Sequence, residues 1–136
     1  MSEGEGALPV VVAVTSFGFK FGLPEDAGWV FDARMVRNPF WVAELRSFTG
    51  LDAPVRDYVL EDPVARDLID RMQSLLVWTV QRYAERDRDV LSLAVGCTGG
   101  RHRSVTIVEA LAERLRADGL TITVTHRDVD VPDPRL

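Results

Sequence analysis

Apolar residues in this chain recur in two ways: as short unbroken β-branched runs, and as longer stretches with helical spacing. "VVVAV" at Val10–Val14 is a continuous run, the pattern of a strand buried on both faces. It gives way to "SFGFKFGLPEDAG", whose glycines and proline predict a long turn, with one helical turn near Pro24. "WVFDAR" predicts a second short strand, and "MVRNPFWVAELRSFTGLDAP" an ordered, aromatic loop with turns at its Asn-Pro and Thr-Gly pairs. From Asp62 the period changes. Asp62 suits a helix cap and Pro63 the first helical position; Leu68, Ile69, Met72, Leu75, Leu76, Val80 and Tyr83 then recur at helical spacing as far as "AERDRD". "VLSLAV" is a third, continuously apolar strand. After it, Val105, Val108, Leu111, Ala112 and Leu115 share one helical face, and Gly119 is placed to end that helix. "LTITVTHR" alternates apolar residues with threonine, as an edge strand with one wetter face does.

Strands alternating with helices predict an α/β fold: a mainly parallel sheet of about four strands with helices on both faces. The 136 residues are expected to form a single domain, with residues 1–7 flexible and 130–136 a tail. Parallel sheets bind ligands beyond the carboxyl ends of their strands. Cations gather at those ends: Lys20 after the first, Arg34 and Arg37 beside Asp32 after the second, Arg101, His102 and Arg103 after the third, and His126 and Arg127 at the fourth.

That clustering matters more because the chain carries a net charge of −5, which argues against a general polyanion binder but not against one small anion held by converging cations. One cysteine excludes an internal disulfide and fits a reducing compartment. The start, "MSEGEGALPVVVAV", has acids where a signal peptide needs bases, and no run approaches the roughly 20 apolar residues of a membrane span. A cytoplasmic location without membrane contact is expected.

The candidate chemistry lies in "GCTGGRHRS", Gly96 to Ser104, between the third strand and its helix. Strand, glycine loop and helix start form an anion site: the first helical amides lack partners, the dipole adds positive charge, and glycines let backbone approach a phosphate. Cys97, Thr98, Gly99, Gly100, Arg101, His102, Arg103 and Ser104 are the candidate ligand-binding residues. Thr98 and Ser104 would add hydroxyls, Arg103 a guanidinium fork and His102 a donor. No Walker A or dinucleotide pattern is present, so the loop suits a single phosphate or sulfate, with no cofactor expected. The same residues also fit cysteine, five residues, arginine, serine, which is similar to the loop of cysteine-dependent phosphatases. In that alternative Cys97 is the nucleophile, Arg103 holds the phosphoryl oxygens, and Asp32 or Asp26 is the general acid. One cysteine and two separated histidines do not match a zinc pattern.

"SFGFKFGLPEDAGWVFDARMVRNPFW", "ELRSFTGLDAPV" and "LAVGCTGGRHRSV" together resemble the C-terminal domain of the RapZ family, the bacterial RNase-adapter proteins. The resemblance runs from about Ser16 to Arg127. It implies a domain that binds a small molecule and RNA, with glucosamine 6-phosphate as the sensed metabolite, and places Asp32, Cys97, Thr98, Gly99, Gly100, His102 and Arg103 at the pocket. The nucleotide-binding half of the family has no counterpart here, so nucleotide binding is not carried over. Phe40 stands in "NPFW" where the family has histidine, and the tail "HRDVDVPDPRL" carries three aspartates where RNA-binding members are basic. The expected function is a phosphosugar-binding sensor or adapter. Arg103 and the loop amides would hold phosphate, Lys20 and Arg34 would support them, and Asp32 would meet the sugar. The expected partner is a phosphorylated metabolite, or free phosphate or sulfate. RNA follows from the resemblance alone, and a homo-oligomer stays open.

Overall fold

The computed structural model describes residues 10–133. In chain order it contains β1 (Val11–Gly18), β2 (Trp29–Asp32), α1 (Ala53–Leu60), α2 (Pro63–Glu85), β3 (Val90–Cys97), α3 (Arg103–Ala117) and β4 (Thr121–His126), with short 3₁₀ turns at Phe19–Phe21 and Pro39–Trp41. The expected flexible residues 1–7, and the last three of the tail, lie outside the described residues.

The four strands form one sheet in the order β2-β3-β1-β4, and every neighbouring pair is parallel. β1 and β3 lie at the centre, consistent with their unbroken apolar runs. Val12 pairs with Leu91 and Ile122, and Val14 with Leu93 and Val124, so these side chains form one face. With Ile69, Met72 and Leu76 of α2 and Ile107, Leu111 and Leu115 of α3, that face makes one buried core.

The three helices pack on one another, and α2 and α3 pack on this face: α3 meets β1 and β3, α2 meets α3 and β3, and α1 meets α2 and α3. The expectation of helices on both faces therefore holds for one face only. The reason is the β1–β2 connection, which crosses the other face as a loop. Gly28 donates to Ser92 O (3.0 Å), and Ser92 Oγ donates to Asp26 O (2.8 Å), pinning that loop over β3.

Two elements differ from the sequence pattern. β1 runs four residues past Val14, because Thr15–Gly18 continue the pairing with Ala94–Cys97. α1 lies in a stretch with no helical reading; it buries only Val55 and Val59, one turn apart. The start of α2 matches its signal, with Asp62 accepting from Val64 N (3.0 Å) and Arg37 N (2.9 Å). Among the described residues, no helix is long and apolar enough to cross a membrane.

Candidate anion-binding site

The carboxyl ends of β1 and β3 lie side by side, with Gly18 paired to Cys97. From there the chain leaves β1 toward β2 and leaves β3 toward β4, in opposite directions across the sheet. Such a divergence opens a crevice at the strand ends. Here it holds the loop Thr98–His102 and the start of α3.

The loop sits against backbone. Gly100 has φ +77°, and a Cβ there would lie 2.6 Å from Gly18 N. Lys20 N donates to Thr98 O (3.2 Å), and Gly50 N to Arg101 O (2.8 Å). These contacts turn the loop so that the amides of Gly99, Gly100, Arg101 and His102 meet no acceptor among the described residues. Beside it is a pocket of about 160 Å³ lined by Cys97, Thr98, Gly99, Arg101, His102 and Arg103, together with Asn38, Phe40, Trp41 and Asp133.

Six of the expected site residues thus meet at one pocket, and the others are elsewhere. Gly100 supplies the turn. Ser104 is buried behind the loop, its N–H donating to Cys97 Sγ (3.4 Å), with the two side chains 3.2 Å apart. Asp32 and Arg34 form a bidentate pair of their own at 3.0 Å, and Arg34 stacks on Phe19. Lys20 reaches the pocket indirectly, its Nζ lying 3.8 Å from Asp133 Oδ2. Sequence reasoning did not place Asn38, Trp41 or Asp133 at the site. Asn38 caps the 3₁₀ turn by accepting from Phe40 N, the role its Asn-Pro dipeptide signals, and this sets Phe40 into the wall and Trp41 at the rim, 75% exposed. Asp133 carried no signal beyond its charge.

The two loop arginines are structural as well as cationic. Arg103, 6% exposed, donates through Nη1 to Arg34 O (2.8 Å) and Val36 O (3.1 Å), and through Nη2 to Thr98 Oγ1 (3.4 Å). Arg101 donates to Ser47 O (3.0 Å) and Val129 O (3.3 Å). Each leaves a buried Nε with no acceptor. One buried and one half-buried guanidinium beside the same pocket supply positive charge that favours an anion there.

His102 is held below its ordinary pKa, first by burial and then by the neighbouring Arg101 and Arg103 charges; hydrogen bonds to Arg46 and Phe48 carbonyls oppose the shift only in part. Its folded pKa is depressed, so the unfolded chain takes up the proton first. Stability is therefore full above the ordinary histidine value near ~6.5 and falls as the pH drops below it. Denaturant midpoints are expected to fall between pH 7 and 5 in the wild type, and to fall less in His102→Gln. Equal slopes would show that His102 is not the group responsible.

For the phosphatase alternative, Ser104 beside Cys97 has the required contact, but the acid is misplaced. Asp32 lies outside the pocket lining, and the Arg34 guanidinium holds its carboxyl below the usual range, which favours the charged form and opposes proton donation.

The model of the RapZ C-terminal domain matches residues 10–130. A "Nucleotide-binding protein" of Bifidobacterium adolescentis is 50% identical over 127 residues, covering 93% of this chain and 41% of its own length. Proteins of the same description from Frankia casuarinae and Clostridium acetobutylicum are 53% and 41% identical, covering 85% and 94% of this chain and 40% and 44% of their own lengths. The chain thus spans about two fifths of these relatives, and with the family model matching nearly all of its described residues it belongs to the RapZ C-terminal domain family.

Proposed function

We propose that this chain binds the phosphate group of a small phosphorylated metabolite, an amino-sugar phosphate such as glucosamine 6-phosphate, at the pocket beside Thr98–Arg103. The observation that carries the reading is the convergence of acceptor-free loop amides with one buried and one half-buried arginine on one small cavity. Charge-assisted bonds to guanidinium contribute roughly 1.5–3 kcal/mol each, against about 0.3–1 kcal/mol for a helix dipole, so the arginines outweigh the helix start. At about 160 Å³ the cavity is smaller than the roughly 300–1,000 Å³ of pockets that enclose drug-sized ligands, which suits a head group with the rest of the molecule toward the Trp41 rim.

The name of the relatives, nucleotide-binding, refers to proteins of which this chain covers two fifths, and its loop has no triphosphate pattern. RNA binding by this chain is the weaker reading. Arg101 and Arg103 are turned inward onto carbonyls, and the chain is acidic overall.

Calorimetry separates these readings. Glucosamine 6-phosphate is expected to release heat and saturate, inorganic phosphate to compete with it, and glucosamine to do neither. Binding of glucosamine without competition by phosphate would reverse the assignment, and no binding of any of the three would sink it. A chromogenic phosphomonoester is expected to remain intact with wild type and Cys97→Ser alike; turnover lost in the variant would make the chain a phosphatase.

A further inference from the structure

The mouth of the pocket is aromatic and firmly built. Pro39, with its fixed φ, opens the 3₁₀ turn Pro39–Trp41, and Asn38 Oδ1 caps it by accepting from Phe40 N (3.0 Å). Trp41 N donates to Asn38 O (3.2 Å), Val42 N to Pro39 O (2.9 Å) and Arg46 Nε to Phe40 O (2.9 Å). The Phe40 and Trp41 rings meet at 85° with their centroids 5.3 Å apart. Phe40 is buried, so this edge-to-face contact orients the indole against a fixed wall, yet Trp41 stays 75% exposed. The fold thus orders a large ring without burying it, on the rim of a cavity lined also by Thr98, Arg101 and Arg103.

We infer that Trp41 is a stacking platform for the ring of a cyclic sugar phosphate, and that it selects such ligands over acyclic phosphomonoesters. The inference rests on the phosphate reading of the pocket and adds the recognition of the rest of the ligand. A pyranose has polar hydroxyl edges and apolar C–H faces. Those C–H groups carry slight positive charge and suit the negative face of an aromatic ring. With its phosphate at the loop, a ligand extends from a cavity of about 160 Å³ toward the mouth, where the indole lies. A hexose 6-phosphate has a single carbon between its phosphate ester and its ring, which suits a loop and a platform that border the same small cavity. In a nucleoside 5′-phosphate the ribose intervenes, and the base falls farther out. Asn38 adds a polar contribution: with Oδ1 committed to the cap, its amide offers donors only, and these suit a sugar hydroxyl oxygen.

The chain has three tryptophans, and the other two lie elsewhere: Trp29 packs on the core, and Trp78 lines a separate cavity on α2. Emission that is lost in Trp41→Phe therefore reports on Trp41. In Trp41→Ala, glucosamine 6-phosphate is expected to bind about 10-fold more weakly, equivalent to about 1.4 kcal/mol, while inorganic phosphate and glycerol 3-phosphate stay within about 2-fold of wild type. Trp41→Phe keeps a ring and should recover most of the affinity. Glucosamine 6-phosphate should change the emission of wild type, and that change should be absent in Trp41→Phe. Equal weakening of all three ligands in Trp41→Ala, unchanged affinity for the sugar phosphate, or an emission change that survives in Trp41→Phe overturns the platform and leaves the phosphate site standing. Adenosine 5′-monophosphate that depends on Trp41 more than the sugar phosphate does also overturns it, in favour of a base. If wild type binds none of these phosphates, the phosphate reading has failed and the platform falls with it.

Discussion

Gly100→Ala is expected to lower stability by about 2–5 kcal/mol, a large share of the roughly 5–15 kcal/mol that holds an ordinary domain together. Two costs combine. The backbone at φ +77° is left-handed, which disfavours a side chain by about 1–2 kcal/mol. The new Cβ would also lie 2.6 Å from Gly18 N and 2.9 Å from Phe17 C, and these backbone atoms cannot rotate aside. Forced overpacking of that kind costs about 1–3 kcal/mol. Gly22→Ala is the control, since Gly22 has φ +92° but nothing within 4 Å of a Cβ. Urea midpoints for the two variants separate strain from collision. If Gly100→Ala costs no more than Gly22→Ala, the β1 and β3 ends do not touch as described, and the loop loses the contact that aims it.

That contact explains why some of the fold was readable in the sequence and some was not. Val10–Val14 and "VLSLAV" announce themselves because a strand covered on both faces must be apolar throughout. Thr15–Gly18 carry no such run; they are strand because Ala94–Cys97 lie beside them, which only tertiary pairing settles. The faces of α2 and α3 span enough turns for their period to show. α1 is eight residues long and contacts the core through Val55 and Val59, too few to separate from a loop. The one-sided helix layer follows from a connection without a helix, and no property of the strands records it.

The site divides in the same way. Cys97, Thr98, Gly99, Arg101, His102 and Arg103 are legible together because a strand–loop–helix site is contiguous in sequence. Asn38, Trp41 and Asp133 come from remote segments whose approach depends on the completed sheet. Asp32 and Arg34 stand at a strand end, as the cation pattern required, but they satisfy each other and stay outside the pocket lining. Proximity to a carboxyl edge is therefore a weaker signal than membership of the loop itself.

Arg103→Ala is expected to abolish phosphomonoester binding and to cost about 2–5 kcal/mol of stability as well, so that affinity and folding fail together. The sequence assigns this guanidinium to the ligand; the structure also gives it the segment before the 3₁₀ turn. With Nη1 gone, the buried carbonyl of Val36 and the part-buried carbonyl of Arg34 lose a donor, at roughly 1–3 kcal/mol for the buried one and less for the other. Those carbonyls belong to the stretch that carries Asn38, Phe40 and Trp41 to the pocket wall, so the damage spreads into the site. Arg103→Lys separates the two roles. An ammonium can satisfy a carbonyl and keep the charge, but it cannot present the planar fork that serves two carbonyls and a ligand together. It should recover part of the lost stability and little of the binding. Thermal melts alongside calorimetry with glucosamine 6-phosphate read both quantities. Full binding in a destabilised Arg103→Ala would confine the arginine to scaffolding. Loss of binding in Arg103→Ala at unchanged stability would mean that the guanidinium faces the ligand and leaves the carbonyls of residues 34 and 36 to other donors.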